Sequence, residues 1–168
     1  DKFDKSRYDL LGGSISFNGS TINSRQYATS GYSEALIAQI FIGKERFYPG
    51  EGATNGNKNS DKEHHSWLQL SYMKEKYHTM SEHWTLGWYL KALYASKNFS
   101  ENYTATMMQA GEFSPTLHSK LTYNEAFRAN QFVGAGIRPI YRLNQMFHLR
   151  GEFYGFMPIY PIERNSLN

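Results

Sequence analysis

The sequence predicts an all-β chain, an antiparallel up-and-down transmembrane β-barrel of which these residues supply about six consecutive strands. Three observations predict it. Apolar and polar residues alternate with period two, the mark of strands whose two faces meet unlike surroundings. The alternating runs are about 10 to 16 residues long, where a soluble strand typically has about 5 or 6. The connections are short and long by turns, the habit of barrels with tight periplasmic turns and extended extracellular loops.

Strands are expected over residues 8–17 and 32–47, joined by a turn region at 18–31 that contracts toward RQYATSG if the strands extend into it. Residues 48–65, YPGEGATNGNKNSDKEHH, are rich in Gly, Asn and charge and read as a long solvated loop. A third strand at 66–78 turns tightly at 79–82 into a fourth at 84–95. There Trp84, Leu86, Trp88 and Leu90 form one strongly apolar face, while Thr85, Tyr89 and Lys91 lie on a mixed one. After a very long loop at 96–131, a fifth strand at 132–143 turns at 144–146 into a sixth at 147–156. On this last strand Phe147, Leu149 and Phe153 oppose the ionisable His148, Arg150 and Glu152. The whole of 1–168 reads as a single domain, a partial barrel.

Lipid demands an apolar outer band with aromatic girdles and tolerates charge only in a wet lumen. Trp84, Leu86, Trp88, Leu90, Leu149 and Phe153 are therefore the expected lipid-facing residues. The composition agrees: aromatic residues make up 16 % of the chain, with 13 Tyr and 11 Phe, whereas Val133 is the lone valine in a chain so rich in strand patterns. A soluble barrel or sandwich has the reverse arrangement, apolar inside, and periodicity alone does not separate the two. That alternative, a soluble β-domain binding an apolar ligand or a protein partner, stays open at the level of sequence.

Other classes are excluded or find no residues. No run reaches the roughly 18 apolar residues of a membrane helix. With 0 Cys there is no disulfide framework and no thiolate chemistry. The net charge of +3 is spread among interspersed charges, so no nucleic-acid partner is expected. The opening DKFDKSRYD lacks the basic start and apolar run of a signal peptide, and the end at ERNSLN lacks a closing strand, so the chain is expected to be a piece of something longer. Gly12-Gly13-Ser14-Ile15-Ser16 approaches a nucleophile elbow but lacks its last glycine and lies in a strand pattern. His64 and His65, with Asp61 and Glu63, are adjacent in a polar loop, a spacing that does not converge on a metal. No catalytic set, metal site or cofactor is expected in this chain.

The runs HSKLTYNEAFRANQFVGAGIRPIYRL and FYGFMPIYP, with RQYATSGYSEALIAQIFIG and NYTATMMQAGEFSPT before them, resemble the C-terminal barrel of patatin-like outer-membrane proteins of Bacteroidetes-type bacteria. That group is similar to the bacterial surface antigen superfamily, which includes the barrel-assembly factor. The resemblance implies a barrel of about 16 strands in the outer membrane of a Gram-negative cell. It also implies an amino-terminal patatin-type lipid hydrolase in the parent chain, for which the barrel is anchor and translocation conduit. Its partners would be outer-membrane lipid, that hydrolase domain and, through open strand edges, another copy of the chain. The superfamily's Arg-Gly-aromatic loop motif falls on Arg128, Ala129 and Asn130, so the arginine alone carries over. By this resemblance Arg128 folds back into the lumen and meets an acidic residue of the wall, for which the strand at 147–156 offers Glu152.

Overall fold

The computed structural model describes residues 5–48, 62–97, 103–116, 118–144, 147–160 and 162. Four long strands come first: β1 (Lys5–Ser20), β2 (Gly31–Tyr48), β3 (Lys62–Thr79) and β4 (Trp84–Ala95). A compact insertion follows, made of α1 (Tyr103–Gln109), the two-residue strands β5 (Gly111–Glu112) and β6 (Arg128–Ala129), and a 3-10 turn at Glu125–Phe127. The chain then returns to the sheet as β7 (Gln131–Arg142), β8 (His148–Arg150) and β9 (Phe153–Tyr160).

The main sheet is antiparallel and 7-stranded, in the order β1-β2-β3-β4-β7-β8, with β9 also on β7. Neighbours in space are neighbours in sequence except where the insertion intervenes, which is the up-and-down plan. The sheet is not closed among the described residues: β1 forms one edge and β8 with β9 the other. The expected strand at 84–95 is reproduced, the first three extend past the expected limits, β1 to 16 residues and β2 and β3 to 18 each, the fifth, expected at 132–143, lies at Gln131–Arg142, and the sixth, expected unbroken at 147–156, is divided into β8 and β9. Most of the loop expected at 48–65 lies outside the described residues, and its end, 62–65, belongs to β3. The loop expected at 96–131 instead carries α1 and the β5–β6 ribbon.

β8 and β9 are one wall strand interrupted at Gly151 and Glu152. The cause is Pro139 on β7, whose carbonyl accepts from the Gly151 N–H at 2.9 Å but which has no N–H to return on that side of the strand. The tight connections are fixed by side chains. The Asn144 Oδ1 accepts from the Phe147 N–H at 2.8 Å, and the Asn23 Oδ1 accepts from the Thr29 and Ser30 N–H groups. Gly31 closes the β1–β2 connection at φ 91°, where a Cβ would sit 2.3 Å from the Thr21 carbonyl oxygen.

The register defines two faces. Trp84 opposes Tyr141, Trp88 opposes Ile137, and these oppose Leu149 and Phe153 in turn, so both rows share a face. The other face carries Tyr77, Tyr89, Leu93, Phe132, Arg138 and Ile140, all buried. It is covered from one end by the insertion, whose Phe113 packs with Tyr89, Leu93, Ala129 and Phe132. From the opposite end the β1–β2 connection brings Ala28 onto Tyr77 and Ile140. The core thus lies on one side of the sheet alone, the side called here the inner wall.

Candidate functional site

The outer wall carries a bare apolar band, flanked by Arg7, Asp9, Lys44 and Arg46 at one end of β1 and β2 and by the Lys74–Glu34 ion pair, 3.0 Å, with Lys76 toward the other end of β2 and β3. Leu11, Ile15 and Phe17 on β1, Leu36, Ile40 and Ile42 on β2, and Leu68 and Leu70 on β3 are all exposed, Leu11 at 78 % and Ile15 at 65 %. The face continues across β4 and β7 to Leu149 and Phe153, each more than 60 % exposed. Every residue expected to face lipid, Trp84, Leu86, Trp88, Leu90, Leu149 and Phe153, lies on this outer wall. Near the short-turn end Trp84 and Tyr141 pack ring to ring at 4.9 Å, with His83 against the same tyrosine. Amphipathic rings gather where an apolar band meets water.

The inner wall holds the charge. Arg138 donates from Nε to the Tyr154 hydroxyl at 2.7 Å, from Nη1 to the Tyr77 hydroxyl at 2.7 Å and to Glu75, and from Nη2 to the Pro115 carbonyl of the insertion at 3.0 Å. Its guanidinium also lies over the Tyr89 ring, 5.0 Å from the centroid. Arg150 donates to Glu152 at 2.6 Å, to the Ala28 carbonyl at 2.9 Å and to the Tyr77 hydroxyl at 3.3 Å. These two arginines with Glu75, Glu152 and three tyrosine rings form one continuous network, in which planar guanidinium forks satisfy acceptors from several strands at once. A cavity of about 170 Å³ opens between this network and the insertion, bordered also by Arg25, His118 and Lys120. Along the later half of β1 Ser14, Ser16 and Asn18 are exposed on the inner wall.

The insertion is held by aromatic contacts and by cations of the sheet that take its carbonyls. Phe113 stacks on Phe156 at 5.6 Å and meets Phe132 edge-on at 6.1 Å. Gly134 makes room for it, since a Cβ there would lie 2.1 Å from the Phe113 ring. Lys91 of the wall donates to the Glu112 carbonyl at 2.6 Å. Arg138 takes Pro115 as above. Within the insertion, Arg128 Nη2 lies 2.7 Å from Glu112, while Nη1 reaches the carbonyls of Met107, Met108 and Ala110 at the end of α1. The guanidinium also lies over Tyr123, 4.7 Å from its centroid.

Arg128 and Glu152 are therefore not brought together. Arg128 belongs to the β5–β6 ribbon, where Glu112 stands directly opposite, and a partner inside the same ribbon needs no reach to the sheet. Glu152 is taken by Arg150, two residues away on the wall, and by the Tyr154 hydroxyl at 3.2 Å. The loop does meet the wall, but through Arg138, Lys91 and Phe113. Of these, the two cations left a signal in the sequence, each a charge in strand period on a face of small and aromatic residues: Arg138 with Phe132, Gly134 and Gly136, and Lys91 with Gly87 and Tyr89. His64 and His65 are strand residues on opposite faces of β3, with the His65 Nε2 3.2 Å from Glu45 on the inner wall.

Beyond the last turn of β4, Lys97 is buried, and that burial pushes its ammonium below the usual lysine range, opposed in part by Glu45. Its Nζ donates to the Gln109 side chain and lies over the rings of Tyr8 and Trp67. It ties the start of the insertion to the inner wall at β1 and β3.

Comparisons with protein-family models, with curated proteins and with solved structures find no match to this chain. Among the described residues no helix is long and apolar enough to cross a membrane, which leaves crossing by strands as a separate matter.

Proposed function

We propose that this chain is a section of a transmembrane β-barrel wall, with lipid on its apolar outer wall and a lumen on its polar inner wall, and that it serves as a membrane anchor. One observation carries the reading: the inner-wall network of Arg138 and Arg150 is buried and satisfied, while a band of large apolar side chains lies uncovered on the outer wall, whose charges, Arg7, Asp9, Lys44 and Arg46 at one end and Glu34, Lys74 and Lys76 toward the other, flank it. A soluble sheet that buries one apolar face leaves the other polar, whereas here the outer face carries an apolar band as well as the inner one its core. Contiguous exposed apolar surface on this scale marks a membrane or a partner. The strand lengths support a tilted crossing, since about 9 to 11 residues suffice to span and β1 to β4 have at least 12.

The sequence resemblance extends the proposal to the outer membrane of a Bacteroidetes-type Gram-negative bacterium and to a patatin-like parent with a barrel of about 16 strands. On that reading the open edges at β1 and at β8–β9 pair with further barrel strands or with another copy, because unpaired backbone groups are not tolerated in lipid. Acyl hydrolysis would belong to the attached domain. A conduit role would require the insertion to leave the wall or cargo to pass along Ser14, Ser16 and Asn18. The docked insertion favours the anchor.

Ile15 and Ser16 are both exposed, one on each wall, so they separate the readings. In a transmembrane wall Ile15→Arg lowers folding into lipid vesicles by about 2 to 4 kcal/mol near the midplane, while Ser16→Arg is tolerated in the wet lumen. Equal tolerance of both, with the protein recovered in the aqueous fraction without detergent, overturns the membrane reading in favour of a soluble β-domain.

A further inference from the structure

Where the outer wall stops being apolar, at the end of β1, β2 and β3 that leads into the long connections, its character changes abruptly. Leu11 and Ile42 are opposite one another, and the next outward pairs are Asp9 with Lys44 and Arg7 with Arg46, with His64 opposite Lys44 on the far side. Arg7 and Arg46 are like charges placed directly across a strand pair, an arrangement that destabilises a sheet unless something negative relieves it. Asp9 alone does so here, 3.5 Å from Arg7 and 3.8 Å from Arg46. Lys44 has no ion-pair partner among the described residues, and Arg46 reaches Asp9 only at the long distance of 3.8 Å. The group is therefore short of negative charge. All of it points away from the inner wall, directly past an uncovered apolar band.

We propose that Arg7, Lys44 and Arg46 form a binding site for the phosphate of an anionic lipid headgroup, whose acyl chains lie along Leu11, Ile40 and Ile42. The inference rests on the membrane reading above and goes beyond it by naming the lipid class and the rim that holds it. Geometry and charge agree on this occupant. A phosphate at this level supplies acceptors for the outer Nη groups of Arg46 and the Lys44 ammonium, and removes the Arg7–Arg46 repulsion. A free anion would satisfy the charges but would leave the apolar band beneath them bare.

The test compares binding of the full chain to vesicles of neutral phosphatidylcholine with binding to vesicles in which about one-third is phosphatidylglycerol. The wild type should prefer the anionic vesicles, less so as salt is raised. Lys44→Gln and Arg46→Gln should each reduce the preference about fivefold. Asp9→Asn should strengthen it, a gain that a merely misfolded rim would not produce. Lys120→Gln, which removes the same charge on the inner side, should leave it unchanged. A preference unaffected by Lys44→Gln, or lowered equally by Lys120→Gln, overturns the site. So does its abolition by inorganic phosphate, which would mark a free-anion site. Failure to bind either vesicle overturns the membrane reading itself, an outcome distinct from equal binding to both, which overturns the rim alone.

Discussion

Arg128 and Glu112 face each other across the two-residue strands β5 and β6, guanidinium to carboxylate at 2.7 Å, and this pair closes the insertion on itself. Because Arg128 also caps the end of α1 through three carbonyls, its loss should exceed that of its partner. Arg128→Ala is expected to cost about 2 to 3 kcal/mol and Glu112→Gln about 1 kcal/mol. A double-mutant cycle in thermal unfolding should show coupling between them. The same cycle between Arg128 and Glu152 should be additive, and coupling there would contradict the pairing found.

Arg138 unites three strands and the insertion, so its removal strands Glu75 on the inner wall without a cation. Arg138→Ala should cost about 3 to 5 kcal/mol, and Arg138→Lys should recover little, because one ammonium cannot reach Tyr154, Tyr77, Glu75 and Pro115 together. Urea unfolding of the two variants checks this. Full rescue by lysine would mean that charge alone, and not the fork, holds the network.

Gly134→Ala places a methyl group where the Phe113 ring lies. The expected result is a sheet that persists by circular dichroism while the insertion lifts from the wall, read as faster proteolysis within 103–130. Phe113→Ala should produce the same proteolytic pattern from the other side of the contact, at a cost of about 3 to 5 kcal/mol. Unchanged cleavage in both variants would show that the ring contact does not hold the insertion.

Facing can be read without perturbing charge. With a nitroxide or fluorescent label at Leu86 and, separately, at Ala92, a quencher confined to the lipid phase should reach both, since both lie on the outer wall. A label at Ser71, on the inner wall of β3, should be reached instead by a water-soluble quencher. Lipid-phase quenching at Ser71 equal to that at Leu86 would contradict the assignment of the two walls. Thr85, Leu86's neighbour, is unsuited to the inner-wall comparison because it is 4 % exposed and any label there would disturb packing.

Lys97 gives the chain a pH signature. Burial lowers its proton affinity in the folded state below the ordinary value of 10.5. As pH rises from that lowered value toward 10.5, the folded protein releases the proton while the unfolded chain still binds it, so stability should rise across this window. The measurement is the difference between wild type and Lys97→Met in unfolding free energy from neutral pH upward. The wild type should gain relative to the variant, and a relative loss would mean that the ammonium is stabilised where it sits.

What the sequence determined by itself is whatever depends on residues close along the chain. Alternation from Trp84 to Tyr94 settles the limits of β4 and which of its side chains share the outer wall, because strand geometry has a period of two whatever the strand packs against. The same holds for Leu149 and Phe153, although they fall on separate pieces, since Pro139 interrupts the ladder without reversing the faces. Pairing between distant residues was not legible. Arg138 and Glu75 are 63 positions apart, and nothing near either names the other. Arg128 illustrates the limit most clearly: its approach to Glu112 required α1, the 3-10 turn and the β5–β6 ribbon inside a stretch with no alternation to announce them. Only tertiary structure decides among several chemically equivalent carboxylates, because a short charged hydrogen bond depends on ångström-scale position, and position is set by how the whole chain packs.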